Sequence, residues 1–253
     1  VYIPKGQQLT PQDRAVAAWL WADRRATLAG LSASATYGTR WINAQLPAEL
    51  NRRSRDKASG VILHSDALQD DETCVRDGMK LTTPARTAFD LGRRKGLQRA
   101  VARLDALSRA TDLKLPEVQS LVERHPGARG IIQLRRALEL IDAGSQSPWE
   151  TRTRLTLVAA GLPRPTTQVP VYDGGCLLAR IDMGWEDWPV GVEFDGAQHW
   201  TDPRQRTWDI DRQAELEALG WRIVRVSADM LRYRPSVVVM RARAALTAAG
   251  AAM

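Results

Sequence analysis

Three acids in the C-terminal half have the types and spacing for metal-assisted chemistry. The run Val190-Gly191-Val192-Glu193-Phe194-Asp195 alternates as a half-buried strand does. Val190, Val192 and Phe194 share the face that fills a core, so Glu193 and Asp195 point together from the other. In the preceding strand pattern Ile181 faces the core, and Asp182, beside Arg180, faces away from it. If the two strands form a hairpin, Asp182 and Glu193 converge on one spot. Acids gathered there repel one another unless protons or a hard cation neutralise them. Oxygen ligands with open positions for water and phosphate are the setting of a Mg²⁺ (or Mn²⁺) site, in which the metal activates water.

Each neighbouring group has a plain structural role as well as a chemical one. Ser147-Pro148-Trp149-Glu150 is an S-x-x-E capping box, in which Glu150 reaches back to the N-cap amide. Asp182 can pair with Arg180 or Arg225, and Glu193 can be an exposed acid on a strand. Asp195-Gly196 is a standard turn pair. His199 follows that turn, beside the acids and with no other histidine in this half, within reach for a general base or a phosphate contact. Asp209 and Arg212 stand three apart on a helix, as a surface pair or with Arg212 facing a scissile phosphate, which suits a guanidinium. Trp185, Trp188, Trp200 and Trp208 surround the acids in sequence and either fill a core or stack on bases. His64 and His125 have no identifiable partners in the sequence.

The elements that must position these groups follow from caps, glycines and periodicity. Ser147-Pro148 opens a helix that runs to about Ala160 and stops at Gly161. Strands are predicted over Thr167–Val171, Leu177–Met183 and Pro189–Asp195, a helix over Pro203–Leu219, a strand over Trp221–Val226 and a helix over Ser236–Ala249. The order is αβββαβα, an α+β or α/β unit. Before it, Val1–Pro4 reads as the end of a strand. Helices are expected over Pro11–Ala22, capped by Thr10, and over Leu31–Tyr37. Glu49–Gly60 is polar enough for a loop or hairpin, and short strands follow at Val61–His64 and Lys80–Thr82. Thr83-Pro84 opens another helix, on which Arg86 and Asp90 can pair, and the pattern from Gly96 to Gly144 is helical. Gly144-Ser145-Gln146-Ser147 is the best boundary.

Charge changes at that same point. All of the formal net charge of +7 lies in residues 1–147, because residues 148–253 carry 13 Arg against 8 Asp and 5 Glu. Such an excess points to a polyanion and makes the first part a candidate nucleic-acid surface. Two cysteines and three histidines exclude a disulfide framework and a Cys-rich zinc module, so a reducing cytoplasm is the expected location. The longest apolar run, Ala15–Ala22, falls far short of the ~20 residues that span a bilayer, and no signal peptide is expected.

The C-terminal motifs resemble a known family. Glu150-x-x-x-Arg154-Leu155, Ile181-Asp182, Val192-Glu193-Phe194-Asp195-Gly196-x-x-His199, Asp209-x-x-Arg212 and Gly220-Trp221-Arg222-Ile223-Val224-Arg225-Val226 occur in the order of the very-short-patch-repair-like nucleases. Those are a branch of the PD-(D/E)XK restriction-endonuclease-like superfamily. The resemblance, over residues 147–253, implies Mg²⁺-dependent cleavage of DNA. It implies Asp182 and Glu193 as metal ligands and Glu150 as accessory acid; Asp195, His199 and Arg212, read from their positions beside these acids, complete the expected catalytic set. Two residues after Glu193, where the superfamily usually has Lys, this chain has Asp195, and His199 is the substitute. The structural zinc of repair nucleases has no cysteines here, so mismatch specificity does not carry over.

Residues 1–92 resemble the C-terminal part of type IV abortive-infection antitoxins in Val1-Tyr2-Ile3-Pro4, Ser34-Ala35-Thr36-Tyr37-Gly38 and Thr82–Leu91. The expected fold is thus α/β (α+β): a restriction-endonuclease-like αβββαβ core over 147–253, an antitoxin-like, mainly helical α+β domain over 1–92, and a helical connector over 93–146. A DNA nuclease is expected, with a non-catalytic, antitoxin-like DNA-binding regulator as the competing reading.

Overall fold

The computed structural model describes residues 6, 8–53, 58–196 and 203–252, with the backbone alone for 203–207. The chain divides into two compact units, Val1–Ala143 and Gly144–Met253. It is a mixed α+β protein with two mixed sheets and ten α-helices among the described residues.

In the first unit, α1 (Pro11–Trp21) starts at Thr10, whose side chain accepts from the Asp13 amide while Asp13 bonds back to the Thr10 amide. After it come β1 (Thr27–Leu28), α2 (Gly30–Thr36), β2 (Ala48–Asn51), β3 (Val61–His64), β4 (Thr73–Arg76) and β5 (Met79–Thr82). The sheet order is β3-β2-β1-β5-β4, parallel at β2/β3 and β1/β5 and antiparallel elsewhere. Helix α3 (Pro84–Gly92) follows, capped by Thr83, and then α4 (Leu97–Ala110), α5 (Leu115–Arg124) and α6 (Ile131–Leu140). These last three pack on α3 or on one another, inside the first unit and not as a separate connector. Leu28, Leu50, Leu81, Phe89, Leu104 and Leu134 fill the interior.

The polar stretch after Glu49 corrects a sequence expectation. Ala48–Asn51 is a buried strand, not part of a loop or hairpin. Glu49 is buried because its carboxylate has partners: the Leu31 amide (3.1 Å), His64 Nε2 (2.9 Å) and Arg94. Burial acts to raise its pKa, yet His64 and Arg94 outweigh that and hold it down at about 2. His125 likewise has a partner, buried Glu72, at 3.5 Å. Arg86 binds Glu72, Asp90 (3.0 Å) and Asp66 (3.3 Å), so the predicted pair with Asp90 forms within a larger buried network. The strand expected at Val1–Pro4 lies outside the described residues.

The second unit runs α7 (Pro148–Ala159), β6 (Thr166–Asp173), β7 (Cys176–Trp185), β8 (Val190–Asp195), α8 (Pro203–Ala218), β9 (Arg222–Ser227), α9 (Ala228–Tyr233) and α10 (Pro235–Ala248). The sheet order is β6-β7-β8-β9, antiparallel except for parallel β8/β9. The parallel pair needs a crossover, which α8 supplies. One face of the sheet packs Met183, Trp185, Val190, Val192, Val224 and Val226 against residues of α7, α9 and α10. The other collects Val169, Val171, Ala179 and Ile181 with Leu216 of α8. The short α9, unforeseen in sequence, is capped by the Ser227 side chain.

Candidate functional site

The site forms where two strands part. The β7/β8 ladder pairs Trp185 with Val190, Gly184 with Gly191 and Met183 with Val192, and goes no further. Asp182 and Glu193 would be the next pair. There the Phe194 amide donates to Asp182 Oδ2 (2.8 Å), a side chain taking a bond that the ladder no longer makes. On the other edge of β7, the β6 ladder pairs Thr167 with Met183 and Val169 with Ile181, passing over Gln168. Gln168 has φ +55°, a left-handed backbone that a non-glycine residue adopts at a cost. The alternation of β7 breaks at the same point. Ala179 and Ile181 pack toward α8, whereas Met183 and Trp185 pack toward α10. Asp182 therefore occupies an irregular position between two regular stretches.

Glu150 approaches from α7. The Glu150 amide donates to Ser147 Oγ (3.1 Å), as the capping motif requires. Its carboxylate accepts from the Gln146 amide (2.7 Å), one residue before the N-cap, and from Gln168 Nε2 (3.5 Å). The cap is thus shifted by one residue from the expected form. One turn later Arg154, wholly buried, donates to Ser145 Oγ (3.3 Å) and holds the segment leading into the helix.

Burial, the charge of Glu150 and, less strongly, that of Glu193 push the Asp182 carboxyl up to about 7, against the lowering effects of the Phe194 amide and Arg212. Glu193 is bound through both oxygens by Arg212 of α8, at 2.5 and 3.3 Å. Arg212 lies over the ring of Trp208 at 5.9 Å, and Trp208 is exposed. Trp149 stacks on Phe194 (5.4 Å, 3°) behind the acids.

The structure brings together Glu150, Asp182, Glu193 and Arg212. The pairing of Asp182 with Arg180 or Arg225 is replaced by its bond to the Phe194 amide, and the Arg212 carboxylate partner is Glu193. Asp195 is drawn instead toward Arg225, at 3.9 Å. His199 and Trp200 lie outside the described residues. Trp185 is a core residue that donates to the Pro163 carbonyl (2.9 Å), and Trp188 packs against the same core. Gln168 and Gln146 were not legible as site residues, since a glutamine in a strand and one in a loop carry no sequence signal. Among the described residues no three His, Cys, Asp or Glu side chains form a metal-holding cluster.

Residues 163–246 match the restriction-endonuclease-like family model REase_MTES_1575. The C-terminal region is thus similar to the restriction-endonuclease-like family. Two Mycobacterium tuberculosis proteins, "Uncharacterized protein MT2308" of strain CDC 1551 / Oshkosh and "Uncharacterized protein Rv2248" of strain ATCC 25618 / H37Rv, are each 32% identical to the chain over 164 residues. Those residues are 65% of this chain and 60% of each relative, so the chain spans about three fifths of their length. No solved structure matches the chain. Among the described residues no helix is long and apolar enough to cross a membrane.

Proposed function

We propose that the restriction-endonuclease-like unit hydrolyses phosphodiester bonds in DNA with Mg²⁺ or Mn²⁺, as an endonuclease or nickase of the very-short-patch-repair-like type, in repair or phage defence. The observation that carries this reading is the carboxyl of Asp182, set where β7 and β8 part, beside Glu150 and Glu193, and raised to about 7. A carboxyl so placed either keeps a proton or gains a cation, and an all-oxygen donor set suits a hard divalent ion. In this reading Asp182 and Glu193 would hold the ion, with Glu150 assisting. When bound, the ion lowers the pKa of a water and stabilises charge on the phosphate. The chain's own groups do the rest. Arg212 neutralises Glu193 and can turn its planar fork to phosphate oxygens. His199 would orient or deprotonate the attacking water, Asp195 would support the acids from the end of β8, and the exposed ring of Trp208 offers a base a stacking surface.

A second reading, a non-catalytic antitoxin-like DNA-binding regulator that kept the fold, draws on two observations. Asp195 stands where a lysine would orient the attacking water, and Arg212 already engages both oxygens of Glu193. Crystals soaked in Mn²⁺ separate the readings. Anomalous density between Asp182 and Glu193, lost in Asp182→Ala, is the result expected of the nuclease. Its absence from wild-type crystals favours the regulator.

A further inference from the structure

The first unit holds a recess of about 560 Å³ around the turn that follows α3, lined by Arg93, Arg94, Lys95, Arg129, His64 and Gln133 among others. That volume lies within the range of small-ligand sites. Two acids, Asp66 and Asp90, also line it, and they and the nearby Glu49 are neutralised by partners of their own: Asp90 binds Arg86 and Arg93, Asp66 binds Arg86, and Glu49 binds Arg94 and His64. Lys95 and Arg129 make no ion pair among the described residues. Arg93 donates through its Nη atoms to the Arg129 carbonyl (3.2 Å) and to Asp90 (2.9 Å), while its Nε–H is buried with no hydrogen-bond partner.

Hydrogen bonds tie down the turn that lines the recess. Gln133 donates to the carbonyls of Gly92 (2.9 Å) and Arg94 and accepts from the Gly96 amide (3.1 Å), fixing the turn that carries Arg93, Arg94 and Lys95. Gly130 has φ +84°, and a Cβ there would fall 2.1 Å from the Arg93 carbonyl oxygen, so only glycine lets the start of α6 sit against this turn. Helix α6 begins there without a side-chain cap, which adds its positive end to the same recess.

We infer that this recess binds a phosphomonoester, with Lys95 and Arg129 meeting its dianion beside the start of α6. Two cations with no ion pair among the described residues match two negative charges. A bounded recess suits a terminal phosphate better than the continuous backbone of a duplex. The source is either a free nucleoside 5′-monophosphate or the 5′-phosphorylated end of a nucleic-acid strand. This site lies in the first unit and stands whether or not the second unit cuts DNA.

The full chain would be titrated with adenosine, AMP and inorganic phosphate by calorimetry, without added metal. A single-stranded oligonucleotide with a 5′-phosphate or a 5′-hydroxyl would be followed by fluorescence anisotropy. Either AMP over adenosine or 5′-phosphate over 5′-hydroxyl should be preferred by about tenfold or more, as charge-assisted bonds allow. A preference confined to AMP identifies a free nucleotide, and one seen in the strand identifies a strand end. In Lys95→Ala/Arg129→Ala, both changes at exposed positions, the preference should disappear while the melting temperature stays. Absence of any phosphate preference in the wild type overturns the inference, as does a preference that survives the double substitution.

Discussion

Asp182 is the residue whose environment says most about chemistry. In the folded protein, burial and the charges of Glu150 and Glu193 push its carboxyl up to about 7, against 3.8 as an ordinary aspartate. The fold therefore keeps a proton that the unfolded chain has lost. The contribution of Asp182 to stability falls as pH rises from about 4 to about 7 and levels beyond. Asparagine cannot ionise, so Asp182→Asn should gain about 2–3 kcal/mol on the wild type between about pH 5 and about pH 8, read from urea melts without metal. An unchanged difference across that range would show that the carboxyl is ordinary. At Glu150 two roles overlap, and substitution separates them. Glu150→Gln keeps an oxygen for the Gln146 amide and removes the charge. Its melting temperature should stay within a degree or two while DNA cleavage falls at least about tenfold. Glu150→Ala should also lose about 1 kcal/mol of stability, as lost caps do. Cleavage at the wild-type rate in Glu150→Gln would leave the residue a cap and nothing more.

At the scale of elements, the sheet of the second unit was legible because β8 alternates cleanly and Gly161 and Gly220 end the helices before β6 and β9. The irregular positions were not, for physical reasons. The passed-over position at Gln168 depends on partner strands, which no local pattern records. Strand β1 has two residues, too few for any period, and its place in the sheet comes from pairing with β2 and β5. Glu49 read as a loop residue because burial of a carboxylate depends on His64 and Arg94, 15 and 45 positions away. Asp182, Glu193 and Glu150 were found through alternation, a capping motif and a family resemblance, whereas the grip of Arg212 on Glu193 needed α8 in place. The left-handed Gln168 yields a prediction at this scale. Gln168→Gly relieves the backbone, so it should be more stable than Gln168→Ala by about 1 kcal/mol in chemical denaturation. Both variants lose the contact with Glu150 and should cut DNA more slowly than the wild type. Equal stability of the two would mean that the positive φ carries no strain.

At the scale of the whole molecule, charge and site chemistry are divided. The entire net positive charge lies in residues 1–147, while the acids that would recruit a cation lie in residues that carry no net charge. Counterion release ties affinity for DNA to the number of phosphates neutralised. The intact chain should therefore bind DNA with a steeper salt dependence than residues 144–253 alone, which have their own core. Equal slopes in fluorescence anisotropy would place the contact surface in the second unit. The central claim is that Asp182 and Glu193 make this unit a nuclease, and cleavage of supercoiled plasmid tests it most directly. Purified wild-type protein, Asp182→Ala and Glu193→Ala would be incubated with Mg²⁺, with Mn²⁺ and with EDTA, and scored for nicked and linear product. Metal activation contributes several kcal/mol to such a transition state. The wild type should cut only with metal, and both variants should be slower by orders of magnitude while binding plasmid at least as well. A wild type that binds plasmid and never cuts it, or an Asp182→Ala variant that cuts as fast as the wild type, would contradict the claim.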